Sequence, residues 1–304
     1  MPRNKTAFKV ASEQVKASSK AGRLRKALLE RIEAHRQDGT IPTSSRFLYY
    51  ELEGHDDGEG ILVSKVRTGA RRTDQDLIVA LTDLREDGLI GWDEIVDETR
   101  SVDCNVRCSS MKEALEAYKQ YIQVDPWQLS ATRPFVLCES RSLAGVLRST
   151  CNDYGVSLAS TNGQSAGFLR TKLAREMNDS SKALHILYCG DWDIGGAAIE
   201  SNIRTVLGEC VQTEFTWERL MITQEQIAKY NLSSIIKTDK RYKGAEGVHE
   251  AWECESLSQK TIIELIVERF DEMLQPYSLD NWKSYADNER ANLTVVENPE
   301  PEAL

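Results

Sequence analysis

The chain has 304 residues, a formal net charge of −10 and 40% hydrophobic residues, enough apolar material for two domains of ordinary size. Its apolar runs fall well short of the ~20 residues that a membrane-spanning helix needs, so we expect no contact with a membrane. The start of the chain is basic and polar rather than a secretory signal, and none of the seven cysteines forms a Cys-x-x-Cys pair. These features favour a reduced, cytoplasmic protein.

The charge is unevenly distributed along the chain. Residues 1–36 carry ten basic and three acidic residues, and the segment 276–304 is predominantly acidic. A second basic cluster consists of Lys65, Arg67, Arg71 and Arg72. Basic clusters are the electrostatic footprint of phosphate binding, so the net negative charge does not exclude nucleic acid. We predict a basic, disordered arm over residues 1–21, for which a merely solvated tail is an equal alternative, and an acidic tail over 276–304.

The segment 22–105 has the pattern of a small helical domain with a short β element. Apolar residues at helical spacing alternate with glycine and proline punctuation. The predicted elements are a helix from Gly22 to about His35, a short helix over SSRFLYYEL capped by Thr43 or Ser44, a short strand at Ile61–Val66, a helix from Thr73 to Gly88 and a wing at Leu89–Val96. This order predicts a winged helix-turn-helix domain, a DNA-binding form, followed by a linker helix over 106–130.

The helix from Thr73 to Gly88 does not have the charge of an ordinary recognition helix. Its exposed face is mostly acidic, and the phosphates that line a DNA groove would repel such a face. The acidic residues are Asp74, Asp76, Asp83, Glu86 and Asp87, against Arg85 alone. We therefore expect the arm, the basic cluster at 65–72 and the short helix SSRFLYYEL to contact DNA instead.

The short helix carries a tyrosine pair, Tyr49 and Tyr50, one turn after Arg46. At ~100° per residue, Leu48 and Leu52 form one apolar stripe and Tyr50 points to the opposite side. A phenol turned away from the core, with Arg46 beside it to stabilise a phosphate or a phenolate, would be placed to attack a phosphodiester. The alternatives are that both tyrosines pack at an interface and that Arg46 makes a surface salt bridge.

Acidic residues follow two of three predicted buried strands in the second half of the chain. The strands are Phe135–Cys138, Val156–Ala159 and Leu184–Cys189. Glu139 follows the first strand, the loop Thr161–Gln164 follows the second, and Asp191 and Asp193 follow the third, before a pair of glycines opens a helix. The carboxyl ends of such strands meet at one rim of a sheet, and carboxylate oxygens suit Mg²⁺. The alternative is that Glu139 and Asp191 are helix N-caps.

The order strand, Glu, helix, strand, helix, strand, Asp-x-Asp resembles the Toprim domain of type IA and type II topoisomerases, primases and related nucleases. A Ser-Arg-x-x-Tyr-Tyr helix in a winged-helix domain ahead of it is similar to the A subunit of topoisomerase VI and to the meiotic double-strand-break transesterases. The likeness is greatest to the stand-alone mini-A proteins and covers about residues 22–275. One departure is that Ile194 stands where the family usually has proline after Asp-x-Asp.

The resemblance implies a Rossmann-like, mostly parallel Toprim domain over 131–275 that carries out Mg²⁺-dependent DNA chemistry. Tyr50 matches the nucleophile, which would form a 5′-phosphotyrosyl link. Glu139, Asp191 and Asp193 match the acids that bind Mg²⁺, with Mn²⁺ as an alternative ion. In the family the tyrosine of one subunit meets the metal of the other, so a homodimer on double-stranded DNA is implied. Because the chain has no nucleotide-binding motif, ATP-driven strand passage would need a separate ATPase subunit.

The chemistry assigns further roles at this expected site. Asp193 is expected to bind the metal directly, and Asp191 to bind it directly or through water. Glu139 is expected to act as a metal ligand or as a general base. Arg141 and Arg170 follow the first strand and the Thr161–Gln164 loop, where each either holds the DNA backbone or is ordinary surface. The mini-A pattern includes residues to which we assign no chemical role, namely Lys237, Asp239, Arg241, Glu253 and Glu255.

Three classes of function are consistent with this sequence. The first is a topoisomerase VI A-like DNA transesterase, associated with the nucleoid, that makes double-strand breaks or acts with a separate ATPase. The second is a Toprim nuclease that cuts DNA or RNA with metal-activated water while Tyr50 is structural. The third is a non-catalytic DNA-binding regulator whose acidic residues cap helices. The joint presence of Tyr50 and the three acids favours the first class.

Overall fold

The computed structural model describes residues 17–54, 58–64, 73–96, 108–119, 124–161, 166–238 and 247–293. The protein is of the α/β class, and its central sheet has four parallel strands in the order β2-β1-β3-β4. The strands are β1 (Thr132–Cys138), β2 (Ser157–Ser160), β3 (Ala183–Cys189) and β4 (Phe215–Met221). A second, antiparallel pair consists of β5 (Ile235–Thr238) and β6 (Val248–Ala251).

Helices precede, connect and follow the strands. They are α1 (Lys20–Asp38), α2 (Ser45–Leu52), α3 (Thr73–Glu86), α4 (Met111–Lys119), α5 (Arg141–Asp153), α6 (the contiguous Ala166–Phe168, π-helical Leu169–Leu173 and Ala174–Asn178), α7 (Ile194–Cys210), α8 (Gln224–Lys229), α9 (Gln259–Leu274) and α10 (Leu279–Asn292). A 3₁₀ turn, Cys254–Ser256, precedes α9. Helical crossovers between parallel strands give a Rossmann-like core.

The central sheet is buried on both faces, as strand β1 illustrates. Val136 and Cys138 pack in one core together with α5 and α9, whereas Phe135 and Leu137 pack in a second core with α6 and α7. Side chains alternate between the faces of a strand, so a continuous apolar run reports a strand covered on both sides. The three strands predicted from such runs are confirmed, while β4 was not predicted.

Helices α1, α2 and α3 form a separate core near the N-terminus. The buried leucines and isoleucine that these three helices contribute to it are Leu24, Leu28, Ile32, Leu48, Leu52, Leu77, Leu81 and Leu84. Ser19 caps α1, and α1 ends at Gly39 in the left-handed conformation with φ 67°. Ser44, one of the two predicted caps, accepts a hydrogen bond from the Phe47 N–H at the start of α2. The apolar stripe predicted for α2, Leu48 and Leu52, is therefore confirmed.

The β element predicted for the N-terminal module is reduced to single bridges. In the described part of Ile61–Val66, Val63 makes one parallel bridge to Glu53. The segment predicted as a wing forms turns, and its Ile95 makes one bridge to Thr43. The strand expected at Ile61–Val66 is therefore wrong for residues 61–64, and a winged helix-turn-helix remains a prediction.

The outer predicted segments are described only in part. Residues 20–21 of the predicted arm belong to α1, and its residues 1–16 lie outside the described residues. Helix α4 lies within the predicted linker 106–130, and α10 occupies part of the predicted acidic tail. Within the described part of the chain, no helix is both long and apolar enough to cross a bilayer.

The N-terminal module packs directly on the sheet module. Phe47 of α2 is buried in the core that contains α5 and α9. The buried Gln259 amide nitrogen donates to the carbonyl oxygens of Thr40 and Pro42 at 2.6 and 2.9 Å. These contacts position α2, the helix with the tyrosine pair, beside the start of α9 and the 3₁₀ turn.

Candidate functional site

Three acidic residues and two basic side chains line a cavity of about 280 Å³ at the carboxyl edge of the sheet. The structure brings together Glu139, which follows β1, with Asp191 and Asp193, which follow β3. Lys237 and His249 of the β5–β6 pair line the same cavity. The predicted convergence of the strand-end acids on one rim is therefore present in the fold.

Glu139 is held at the edge of the cavity by two donors. Its Oε2 atom accepts hydrogen bonds from the Asp191 N–H at 3.2 Å and the Tyr188 hydroxyl at 3.4 Å. Burial, together with the charge of Asp191, raises the pKa of Glu139 to about 7. Ser140 caps α5, so the alternative reading of Glu139 as an N-cap is wrong.

Asp193 has two partners that use different oxygens. Its Oδ1 atom accepts from the Gly196 N–H at 2.6 Å, which makes Asp193 the N-cap of α7. Its Oδ2 atom is 2.7 Å from the Lys237 ammonium nitrogen. Burial acts to raise the pKa of Asp193, but the hydrogen bonds from Lys237 and Gly196 outweigh it and lower the pKa below its usual value.

Asp191 faces the same ammonium group at a longer distance. Its Oδ1 atom accepts from the Cys254 N–H at 3.1 Å, and its Oδ2 atom is 3.5 Å from the Lys237 nitrogen. Burial and the charge of Glu255 raise the pKa of Asp191. Since Asp193 caps the helix that follows, the reading of Asp191 as an N-cap is wrong.

Lys237 and His249 are directly opposite one another in the β5–β6 ladder. Besides its contacts with the two aspartates, the Lys237 nitrogen is 3.3 Å from Glu253 Oε1. Both ring nitrogens of His249 are buried and have no hydrogen-bond partner among the described residues. Sequence reasoning gave Lys237 no role and did not single out His249. Burial alternates along β5 and β6, and Lys237 and His249 both occupy half-buried positions, which places their side chains on the same face.

Arg46 connects the tyrosine helix to this site. Its guanidinium is 2.8 Å from Glu253 Oε2 and 3.2 Å from Glu255 Oε1. The Glu255 side chain is fully buried and also accepts from the hydroxyls of Ser140 and Ser142, each at 2.8 Å. The surface salt bridge considered for Arg46 is instead a half-exposed guanidinium on buried carboxylates, and its role towards phosphate remains a prediction.

Tyr50 lies one helical turn beyond Arg46 on α2. Its side chain is half-buried, and its ring meets the ring of Tyr49 edge to face, with centroids 5.8 Å apart. Tyr49 packs against the N-terminal core, while Tyr50 is not part of that core. This difference agrees with the predicted orientation of Tyr50 away from the Leu48–Leu52 stripe.

The predicted DNA-binding residues are scattered relative to the cavity. Arg141 is exposed at the first position of α5, close to Glu139. Arg170 forms an exposed ion pair with Glu209 at 2.6 Å, near the opposite end of α7 from Asp193 and roughly 20 Å away along that helix. This position favours the surface alternative for Arg170. Lys65, Arg67, Arg71 and Arg72 lie outside the described residues, as do Asp239 and Arg241.

The carboxylates and the imidazole that line the cavity are side chains that can bind a divalent cation. In this structure, however, the two aspartates contact the Lys237 ammonium group. Among the described residues, no set of three or more His, Cys, Asp or Glu side chains is arranged to hold a metal ion. Carboxylate oxygens suit Mg²⁺ and Mn²⁺, and a buried, unpartnered imidazole is a ligand that Mn²⁺ accepts. Glu139, Asp191, Asp193 and His249 are the residues that would hold such an ion.

Comparisons with protein-family models, with curated proteins and with solved structures found no match for this chain. The fold and the site together define an α/β protein with a parallel sheet and an acidic cavity at its carboxyl edge. The resemblance to the topoisomerase VI A subunit therefore depends on the sequence motifs alone and stays a prediction.

Proposed function

We propose that this protein is a topoisomerase VI A-like enzyme that cleaves double-stranded DNA by transesterification from Tyr50, with Mg²⁺ or Mn²⁺ as its cation. One observation carries the proposal: the helix of Tyr50 is attached, through Arg46, to the same rim that presents the acids. Arg46 pairs with Glu253, and Glu253 in turn contacts the Lys237 nitrogen that faces Asp193. These consecutive contacts hold the helix of Tyr50 on the acidic cavity of its own chain. In the homodimer that the family resemblance implies, each Tyr50 would act at the cavity of the other copy.

The reaction would form a bond between the Tyr50 oxygen and phosphorus and break the bond from phosphorus to the DNA 3′ oxygen. The phenol proton passes to a base, and the leaving oxygen receives a proton. Glu139, whose pKa lies at about 7, is suited to exchange a proton near neutral pH. The cation, when bound, neutralises charge on the phosphate and on the leaving oxygen. Asp191 and Asp193 would hold that cation, and α2 would orient the phenol.

The proposal includes an assembly. Two copies of the chain would each cut one strand, since one tyrosine forms one covalent link. Residues 22–105 would serve as the winged helix-turn-helix DNA-binding module, and the protein would act on the nucleoid. An ATPase subunit would be needed only for strand passage, because cleavage by transesterification consumes no nucleotide.

The deciding experiment incubates wild type, Tyr50→Phe and Tyr49→Phe with supercoiled DNA and Mg²⁺ or Mn²⁺. Products are run on denaturing gels with and without protease. We expect protein-linked breaks from wild type and Tyr49→Phe and none from Tyr50→Phe. Asp193→Asn, which keeps an N-cap side chain, should abolish cleavage while DNA binding persists.

A different result would identify one of the other classes. If Tyr50→Phe cleaves at the wild-type rate without a protein-linked product, the protein is a metal-dependent nuclease that uses water. The half-buried Tyr50 ring, in contact with Tyr49, is the feature that would then be purely structural. If wild type binds DNA with either cation and never cleaves it, the protein is a DNA-binding regulator.

A further inference from the structure

The Lys237 ammonium occupies the centre of the acidic cavity. Its nitrogen lies 2.7 Å from Asp193 Oδ2, 3.3 Å from Glu253 Oε1 and 3.5 Å from Asp191 Oδ2. Three carboxylates from two parts of the chain therefore converge on one positive charge. Carboxylates this close repel one another unless a cation lies between them.

The charge balance makes Lys237 the counter-ion of the two aspartates. The carboxylates in and behind the cavity are Glu139, Asp191, Asp193, Glu253 and Glu255. Arg46 is directed at the two glutamates behind the cavity, Glu253 and Glu255. The aspartates face Lys237, and a divalent ion bound by their Oδ2 atoms would need the same oxygens.

We propose that Lys237 is a built-in competitor of the divalent cation, and that metal binding requires its ammonium to leave Asp191 and Asp193. This inference rests on the proposed function only in taking the cation of this site to be divalent. A flexible four-carbon stem lets the ammonium move without a change in the backbone of β5. The residue lies at the penultimate position of β5, and its side chain is 33% exposed, so a way out of the cavity exists.

An ordinary structural ion pair makes the opposite prediction. If Lys237 only tied β5 to the sheet, its removal would loosen the aspartates, and metal affinity would fall or stay the same. If Lys237 competes, its removal leaves two adjacent carboxylates without a counter-ion, and metal affinity rises. Metal affinity measured without DNA therefore separates the two roles.

The test uses the full chain, Mn²⁺ alone and electron paramagnetic resonance of free Mn²⁺ at neutral pH. Lys237→Met removes the charge and keeps the length, and we expect it to tighten Mn²⁺ binding about tenfold or more. Lys237→Arg keeps the charge and should not tighten binding. Lys229→Met, at an exposed position on α8, should bind Mn²⁺ like wild type. Unchanged or weaker binding by Lys237→Met would overturn the inference.

A second measurement on wild type does not depend on a variant that folds. Reductive methylation followed by mass spectrometry reports how accessible each lysine amine is. Mn²⁺ should increase the rate of Lys237 modification several-fold and leave Lys229 unchanged; equal rates with and without Mn²⁺ would contradict competition. Mn²⁺ binding that behaves as expected, in a protein that never cleaves DNA, would support the inference while removing the proposed activity.

Discussion

Arg46 and Glu253 are 207 residues apart in the sequence, and the Arg46 Nη2 atom donates to Glu253 Oε2 at 2.8 Å. The contact joins α2 of the N-terminal module to the turn that precedes α9. Glu255, two positions further on, lies fully buried against the same guanidinium at 3.2 Å. One guanidinium therefore contacts two carboxylates at the boundary between the modules.

Arg46→Ala should lower the free energy of unfolding by about 2 kcal/mol, because it leaves the buried Glu255 carboxylate without its cation and removes one of the two cations at Glu253. Urea denaturation followed by circular dichroism measures the change. The matched control is Arg170→Ala, which breaks an exposed pair with Glu209 and should cost less than about 1 kcal/mol. Equal losses for the two variants would show that the Arg46 contacts contribute no more than a surface pair.

Gly196→Ala should disrupt the start of α7, because an added Cβ would lie 2.3 Å from the Asp191 carbonyl oxygen. The backbone would have to move, and we expect a loss of more than about 2 kcal/mol together with weaker Mn²⁺ binding. Gly208→Ala, in the same helix, places its Cβ in open space and should stabilise the protein by about 0.5 kcal/mol. Thermal melts of both variants test this; a stable Gly196→Ala protein that binds Mn²⁺ normally would refute the close approach.

Glu139→Gln should change how stability depends on pH. Burial and the Asp191 charge raise the pKa of Glu139 from the ordinary 4.5 to about 7, so the native state binds this proton more tightly than the unfolded state. The stabilisation is complete below pH 4.5 and is lost as pH rises through 7. In metal-free buffer, the Gln variant should match wild type near pH 5 and exceed it by about 2 kcal/mol near pH 8.

The measurement for Glu139 is a series of urea titrations with chelator across this pH range. Glu214→Gln, at an exposed position before β4, is the matched control for the substitution itself. A constant difference between Glu139→Gln and wild type at every pH would mean that the carboxyl does not titrate in this window.

Gln259→Ala should weaken the junction between the modules by about 2 kcal/mol. The side chain is 1% exposed, and its amide donates to two backbone carbonyls, those of Thr40 and Pro42, which would lose their partner. Chemical denaturation measures the loss. Gln275→Ala, at an exposed position after α9, should be nearly neutral, and a loss of the same size there would show that the buried amide is not special.

Local patterns in the sequence were sufficient for much of the fold. The apolar runs of β1 and β3, the short strand predicted at Val156–Ala159, the Ser44 cap and the acids at two strand ends are each signals that span only a few residues. Strand β4, FTWERLM, was missed because polar and apolar residues are mixed in it and only its last two are buried. In α3, Ile78 is 53% exposed although its neighbour Leu77 is buried, so the apolar residues of this helix do not all face the core.

Which residues contact one another at the candidate site depended on tertiary structure. The sequence by itself determined the α/β class and the presence of Glu139, Asp191 and Asp193 at the ends of predicted strands, since the positions and ends of strands follow from local periodicity. Only the folded chain decided that Lys237 meets Asp193 from 44 residues away and that Arg46 meets Glu253 from 207 residues away. Ion pairs depend on distance in space, and no pattern along the chain encodes the packing that brings separate segments within 3 Å.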